Sequence, residues 1–215
     1  MSSRRQVLKQ LVAMGALAGL SALPRAQAAT PEAKASAVGR YHMPDEAGPQ
    51  ARVWVAFGAS RDIWGRNYKD VQATIGRLVQ AMAPHTEVNV LCREEEEDLA
   101  RQLCGEGSTR FIHAELDDIW LRDTGGVFVR NGEGELGLVD FNFNGWGDKQ
   151  EHEQDGGVAE WVSTQADAHY LQSRLTGEGG GIEVDGKGTA ILTESCWLNG
   201  NRNPGLSKAQ VEAEL

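Results

Sequence analysis

A chain of 215 residues can bury one good core or two small ones. Its composition, 40% hydrophobic and 24% charged with 26 glycines, is that of a soluble globular protein rich in tight turns. The net charge of −10 argues against a nucleic-acid partner, whose phosphates need a basic face, and no internal run approaches the about 20 apolar residues of a membrane span. The N-terminus has a character of its own. Ser3-Arg4-Arg5-Gln6-Val7-Leu8-Lys9 sets paired arginines before the apolar stretch from Leu11 to Leu23, and Pro24 and Ala26-Gln27-Ala28 supply a cleavage-like ending. That order predicts a twin-arginine export signal over residues 1–28 and a periplasmic or secreted location. The segment holds four of the 21 basic residues and none of the 31 acids, so its removal moves the net charge from −10 to about −14. Such a surface favours a cationic ligand.

Residues 29–40 are Ala-rich and predict a linker, leaving 41–215 as the folded domain. Tyr41 to Glu46 leads to a strand at Val53–Phe57. Asn67 is placed to cap a helix whose apolar residues Val71, Ile75, Leu78, Val79 and Met82 share one face, and Pro84 ends it. Val88–Leu91 predicts a strand. A helix follows from Glu94 to Cys104, its four leading glutamates suited to the positive end of the helix dipole rather than to a metal. Phe111–Ala114 predicts a strand, Val127–Arg130 and Leu136–Phe141 a hairpin, and Val158–Ala166 a helix. A second hairpin joins Ile182–Val184 to Thr189–Thr193 through Asp185-Gly186-Lys187-Gly188. Ser207 and Gln210 form a capping box for a last helix. That helix has about eight residues, where isolated helices need roughly 12 to 15, so Val211 and Leu215 look spaced to meet something beyond the end and the chain reads as interrupted. Cys92, Cys104 and Cys196 show no metal-binding spacing; burial suits the first two, and one bridge among the three stays open.

The chemistry concentrates in Asp117-Asp118-Ile119-Trp120-Leu121-Arg122-Asp123-Thr124-Gly125-Gly126. Three carboxylates, a guanidinium and an indole within seven positions read as one wall of a polar pocket that grips a cation. Glu178 precedes three consecutive glycines, where backbone can pass close to a ligand. Carboxylates on two loops with an indole such as Trp120 or Trp146 against the planar face would suit a guanidinium, whose five donors form a fixed fork. Spacing alone equally allows Asp118 and Asp123 to pair internally with Arg122 and cap turns.

The order of motifs resembles the agmatine deiminase family, which groups with bacterial peptidyl-arginine deiminases among the guanidine-modifying enzymes. The resemblance rests on Met43-Pro44-Asp45-Glu46, Arg61-Asp62-Ile63-Trp64, the stretch from Asp117 to Gly125, and Phe141-Asn142-Phe143-Asn144-Gly145-Trp146-Gly147. It continues through Glu178-Gly179-Gly180-Gly181-Ile182-Glu183-Val184-Asp185-Gly186 and Asn199-Gly200-Asn201-Arg202-Asn203-Pro204, from about Tyr41 to Leu215. It implies an α/β fold of the pentein type, a five-bladed α/β propeller, of which this chain carries the N-terminal portion. It further implies a cysteine that attacks the guanidinium carbon, a histidine in a His-x-Asp motif that moves protons, and no metal or organic cofactor. Asp123 matches the carboxylate that grips the guanidinium nitrogens, Glu178 the acid of the Glu-Gly-Gly element, and Trp120 the aromatic lining of the pocket. Asp118 and Trp146 join them as substrate-binding candidates, with Asp118 and Arg122 as supports.

The departures are as specific. The histidines at 42, 85, 113, 152 and 169 are never followed two residues later by Asp. Cys196, in Thr193-Glu194-Ser195-Cys196-Trp197, matches a structural position, and the family's Gly-rich cysteine stretch has no match. The expected function is conversion of agmatine and water to N-carbamoylputrescine and ammonia, a step of putrescine biosynthesis, through a Cys–His mechanism whose Cys and His-x-Asp are missing here, so that this chain is inactive alone. The alternatives are peptidyl-arginine deimination and a non-catalytic guanidinium-binding remnant. The implied partner is a small cationic guanidine or a peptidyl-arginine, and a homo-oligomer is compatible with the resemblance.

Overall fold

The computed structural model describes residues 41–215; the export signal and the linker predicted over 1–40 lie outside the described residues. The described residues are α/β, with three separate sheets of four, three and two strands. Strand β1 (Tyr41–His42) precedes β2 (Arg52–Phe57), a single turn α1 (Arg61–Trp64) and the long helix α2 (Tyr68–Met82). Then come β3 (Glu87–Cys92), α3 (Glu97–Cys104) and β4 (Thr109–His113). Strands β2, β3 and β4 form a parallel sheet in that order, in register from Arg52 opposite Glu87 and from Val88 opposite Thr109. Covered on both faces, the central strand is buried from Val88 through Cys92, which accounts for its nearly continuous apolar run.

A second turn of helix, α4 (Leu121–Thr124), leads into the hairpin β5 (Val127–Asn131) and β6 (Leu136–Asp140). Helix α5 (Val158–Gln165) then carries the chain over to β7 (His169–Gln172), which pairs parallel to β6, as a helical crossover permits. With β1 antiparallel on its other edge, this sheet has the order β1-β5-β6-β7. The hairpin β8 (Ile182–Val184) and β9 (Ala190–Leu192), the turn α6 (Glu194–Trp197) and the helix α7 (Lys208–Glu214) complete the chain.

Side-chain alternation stacks these elements in layers. Phe57, Val88, Val90 and Cys92 face Ile75 and Val79 of α2 and Ala100 and Cys104 of α3. The opposite face of the parallel sheet, with Ala56, Leu91 and Ile112, packs on Leu138, Val158, Ala159 and Val162. Phe128 joins that layer and meets Trp54 at 6.4 Å, whereas its neighbours Val127 and Val129 point the other way, into a third cluster with Phe141, Leu175, Ile182, Trp197 and Val211.

The structure corrects four expectations. Asn67 makes no side-chain capping bond; a 3-10 turn over Gly65–Asn67 runs straight into α2, and the capping side chain in this region is Ser60, which accepts from the Ile63 amide. Leu78 is exposed although it shares the helical spacing of its buried neighbours. The acidic run starts as a 3-10 turn over Glu94–Glu96 before α3 proper. Val211 does not wait for an absent partner: it is 4% exposed, inside the third cluster, whereas Leu215 is 47% exposed. The capping box of Ser207 and Gln210 is formed as expected. Val211→Ala should therefore cost about 2 kcal/mol in urea denaturation, and Leu215→Ala less than about 0.5 kcal/mol. Equal effects of the two would place α7 off the core.

All three cysteines are free; Cys92 and Cys104 are buried, and burial pushes both thiols up to about 11, which keeps them protonated and unreactive. No helix among the described residues is long and apolar enough to cross a membrane.

Candidate functional site

The loop between β4 and β5 carries residues 114–126, and it is held from three sides. The guanidinium of Arg93, just past β3, donates to the carbonyl of Leu116 at 2.7 and 2.9 Å, of Gly58 at 2.9 Å and of Asp117 at 3.3 Å, while Glu96 neutralises it at 2.9 Å. Asp117 and Asp155 clasp one another's backbone: the Asp117 amide donates to Asp155 Oδ1 at 2.9 Å, and the amides of Gln154 and Asp155 donate to Asp117 Oδ2 at 2.8 and 3.0 Å. Gly58 lies so close to the loop that a Cβ there would sit 2.3 Å from the Asp118 carbonyl oxygen.

The side chain of Asp118 is buried, and its two oxygens accept from the indoles of Trp64 at 2.6 Å and Trp120 at 2.9 Å and from Gln150 at 3.2 Å. Its carboxylate thereby holds both indoles and the Gln150 amide, the supporting part expected of it. The two indoles it holds are stacked, with centroids 6.2 Å apart and planes 29° apart. Trp120, 42% exposed, meets Trp146 edge-on at 6.3 Å, and Trp146 in turn stands on Phe143 at 4.9 Å. Trp146 takes a left-handed backbone conformation, with φ 57° and ψ 36°, that bulky residues rarely adopt. The adjoining turn is fixed by Asn144, whose side chain accepts from the Gly147 amide at 2.9 Å. Backbone strain at an aromatic that faces an acidic side chain is the kind of outlier that marks functional positions.

Asp123 follows within the single turn of α4, anchored by the buried Leu121. Its Oδ2 accepts from the Trp146 indole at 3.3 Å and its Oδ1 from the Gly180 amide at 3.2 Å. A Cβ at 180 would come within 2.3 Å of Asp123 Oδ1, so a larger residue there would push that carboxylate out of place. Burial raises the Asp123 carboxyl above the ordinary range, and the two hydrogen bonds and the Arg122 charge pull it back. Arg122 itself turns outward and pairs with Glu46, so the internal pairing of Arg122 with Asp118 and Asp123 that spacing allowed does not form.

Glu178 comes to the same place from the other side, immediately before the glycines whose backbone touches Asp123. It is buried, and Arg202 donates from Nε to its Oε1 at 2.8 Å. Burial raises the Glu178 carboxyl, Arg202 lowers it, and Asp123 raises it again, so the two carboxylates sense one another. Asp123, Glu178, Trp120 and Trp146 are thus linked in space, Trp120 to Trp146, Trp146 to Asp123, and Asp123 to the backbone just past Glu178. No described histidine hydrogen-bonds to either acid: His113 pairs with Glu97, and His152 bonds the Gln150 carbonyl and packs on Phe143. Cavities of about 320 and 150 Å³ lie elsewhere, the first at Glu135, Asp167 and His169 and the second between Met43, Val129 and Leu192. Of the two acids and two indoles, Trp120 is exposed, Asp123 and Trp146 are half-buried and Glu178 is buried.

Comparison with known proteins decides whose wall it is. The model of the Porphyromonas-type peptidyl-arginine deiminase family matches residues 42–215. The chain belongs to that family. Over 186 residues it is 38% identical to the agmatine deiminase of Pseudomonas putida F1, covering 81% of this chain and 49% of that one. It is 37% identical to the agmatine deiminase of Stutzerimonas stutzeri over the same shares of the two chains. Among solved structures, an agmatine deiminase of Enterococcus faecalis superposes with a TM-score of 0.76 at 31% identity, again over 81% of this chain and 49% of that one. A C. jejuni agmatine deiminase with substrate bound shares the fold, with a TM-score of 0.71 at 22% identity. The chain spans about half the length of the curated relatives it matches.

The members of the wall that no local sequence pattern marks are its supports. Arg93, Asp155 and Gln150 act on backbone or side chains 23 to 38 residues away and stand in no local pattern. Trp64 and Arg202 lie in motifs on which the family resemblance rested, but neither had a role until the fold brought each to a carboxylate.

Proposed function

We propose that this chain forms the guanidinium-binding part of an agmatine deiminase-type hydrolase, which converts agmatine and water to N-carbamoylputrescine and ammonia and so serves putrescine biosynthesis. The observation that carries this reading is the carboxylate of Asp123, held between the Trp146 indole and the Gly180 amide in a wall of indoles beside a second acid. A planar cation set against the exposed Trp120 would gain from the ring quadrupole, and its N–H fork suits a carboxylate such as Asp123. In the proposed reaction a cysteine thiolate attacks the guanidinium carbon, one nitrogen leaves as ammonia with a proton from a histidine, and water then releases the ureido product. This chain contributes the binding, orientation and charge; the cysteine and the His-x-Asp histidine match none of its residues. The whole assembly is read as a five-bladed α/β propeller of the pentein type. Its support is the superposition on solved deiminases together with the division of the described residues into three small sheets. Residues 1–28 would direct the product through a twin-arginine route to the periplasm.

A second reading, deimination of peptidyl-arginine, is favoured by the description of the matching family. Calorimetry separates the readings. Agmatine should bind the purified chain weakly and Asp123→Ala should lower the affinity about tenfold, the equivalent of 1.4 kcal/mol. Tighter binding of an arginine peptide than of agmatine would favour the second reading, and no binding of either would remove both. Ammonia release by the chain alone would show that a separate cysteine and histidine are not needed.

A further inference from the structure

One guanidinium already lies beside Glu178, and it belongs to the protein. The side chains of Arg202 and Glu178 are 8% and 7% exposed, with Nε to Oε1 at 2.8 Å, and Nη1 of Arg202 donates to Asn201 Oδ1 at 2.9 Å. The loop that carries Arg202 is fixed on both sides of it. Ahead of it, the Asn201 carbonyl accepts from Asn144 at 2.9 Å, which ties the loop to the turn bearing Trp146. Behind it, Asn203 donates to the carbonyls of Thr176 at 2.8 Å and Trp197 at 3.0 Å and accepts from the Thr176 amide at 2.9 Å, two residues before Glu178. Arg202 is therefore placed with less freedom than a surface ion pair would have.

We propose that Arg202 is a positioning residue for guanidinium capture: it fixes one oxygen of Glu178, leaves the other without a hydrogen-bond partner among the described residues, and sets the charge of the wall so that one external cation completes it. The proposal rests on the reading of Asp123 and Glu178 as the guanidinium-binding acids. The charge argument is direct. Two neighbouring carboxylates, both partly desolvated, would take up a proton between them, and a proton competes with a cationic ligand. Arg202 balances one of the two charges, so the pair keeps a net charge of −1, which a single guanidinium neutralises. Lys149 acts on Glu178 and Arg122 on Asp123 in the same sense but as smaller contributions, and the opposing neighbour is each acid for the other. A hydrophobic or neutral side chain of the same size would fill the space and leave the proton problem unsolved.

The test is agmatine affinity as a function of pH, by calorimetry on the purified chain. In the wild type, affinity should fall as pH drops and protons reach the acids. In Arg202→Gln the midpoint of that fall should move up by about one unit, with about tenfold weaker binding at pH values below both midpoints. Arg202→Lys keeps the charge and should keep the wild-type midpoint, at reduced affinity because a point charge replaces the fork. Near-ultraviolet circular dichroism checks each variant for folding. If Arg202→Gln does not fold, Arg202→Lys decides: an unchanged midpoint supports the proposal, and a raised midpoint despite the retained charge overturns it. If Asp123→Ala loses binding while folded Arg202→Gln retains the wild-type midpoint and affinity, the wall is rightly identified and the role given to Arg202 is wrong. If the wild type binds no agmatine, the reading of the wall fails, and this proposal fails with it.

Discussion

Gly58→Ala is expected to destabilise the chain by about 2–3 kcal/mol and to disturb the indole wall at the same time. Gly58 directly follows β2, and a Cβ at that position would meet the carbonyl oxygen of Asp118 at 2.3 Å, its carbonyl carbon at 2.9 Å and the Cβ of Leu116 at 3.1 Å. None of these atoms is the end of a flexible side chain, so no rotamer change relieves the contact. Either β2 leaves the parallel sheet, where Phe57 pairs with Cys92, or the loop backs away from it. Moving the loop also breaks the Arg93 clamp, since the same guanidinium holds the carbonyls of Gly58 and Leu116. The indoles follow, because Asp118 holds Trp64 and Trp120 through its carboxylate. Urea denaturation should show the loss of stability, and tryptophan emission should shift to the red in the native baseline. Gly107→Ala is the control: nothing lies within 4 Å of its Cβ position, and its stability should stay within about 0.5 kcal/mol of wild type. Equal midpoints for the two variants would mean that the loop absorbs the methyl group without consequence.

The parts of this molecule that were legible in the chain are those in which local pattern and tertiary role coincide. Val88 to Leu91 is apolar on both faces because its strand is covered on both, and the capping box at Ser207 and Gln210 needs only neighbours three residues apart. Strand His169–Gln172 was not legible: a short run of His, Tyr, Leu and Gln has little β-branched character, and its state is set by β6, 32 residues away in register. Val211 misled for a related reason, since a short helix is marginal alone and becomes stable through a cluster that assembles from five other segments. At the site, carboxylates and indoles near glycines drew attention to the stretch, but the assignment of Asp123, Glu178 and Trp120 came from the order of motifs shared with the agmatine deiminase family, since spacing alone equally allowed an internal pairing with Arg122. The division of labour among the acids is not legible from spacing. Asp118 and Asp123 sit five residues apart with the same chemistry, and the fold alone decides that one is fully buried under two indole donors while the other is half-buried between the Trp146 indole and the Gly180 amide. An arginine that gathers backbone carbonyls, as Arg93 does, leaves no trace in local sequence, because its partners have no side-chain identity to recognise.

Asp155→Asn is expected to stabilise the chain at pH 7.5 and to leave it unchanged near pH 4. Asp155 is 1% exposed, and its Oδ2 has no hydrogen-bond partner among the described residues. Burial pushes its carboxyl up to about 6; repulsion from Asp117 and Asp118 adds to the rise, and amide hydrogen bonds from the same two residues oppose it. In the unfolded chain the same group titrates near 3.9. Between those values the folded state holds a proton that the unfolded state has released. The favourable contribution of the neutral form is therefore present in full below about pH 4 and is lost as pH rises through about 6. Two units correspond to roughly 3 kcal/mol, an upper bound on what ionised Asp155 costs the fold at neutral pH. Asparagine keeps the Oδ1 acceptor for the Asp117 amide, so the clasp under the loop survives while the charge disappears. Its amide nitrogen finds no better partner than Oδ2 had, which trims the gain to about 1–3 kcal/mol. Urea midpoints measured from pH 4 to 7.5 should show the variant and the wild type together at the acid end and separating through pH 4–6, with a plateau above. A constant difference across the range would mean that Asp155 does not titrate within the fold, and a loss of stability at every pH would mean that the ionised carboxylate is what holds the Asp117 amide.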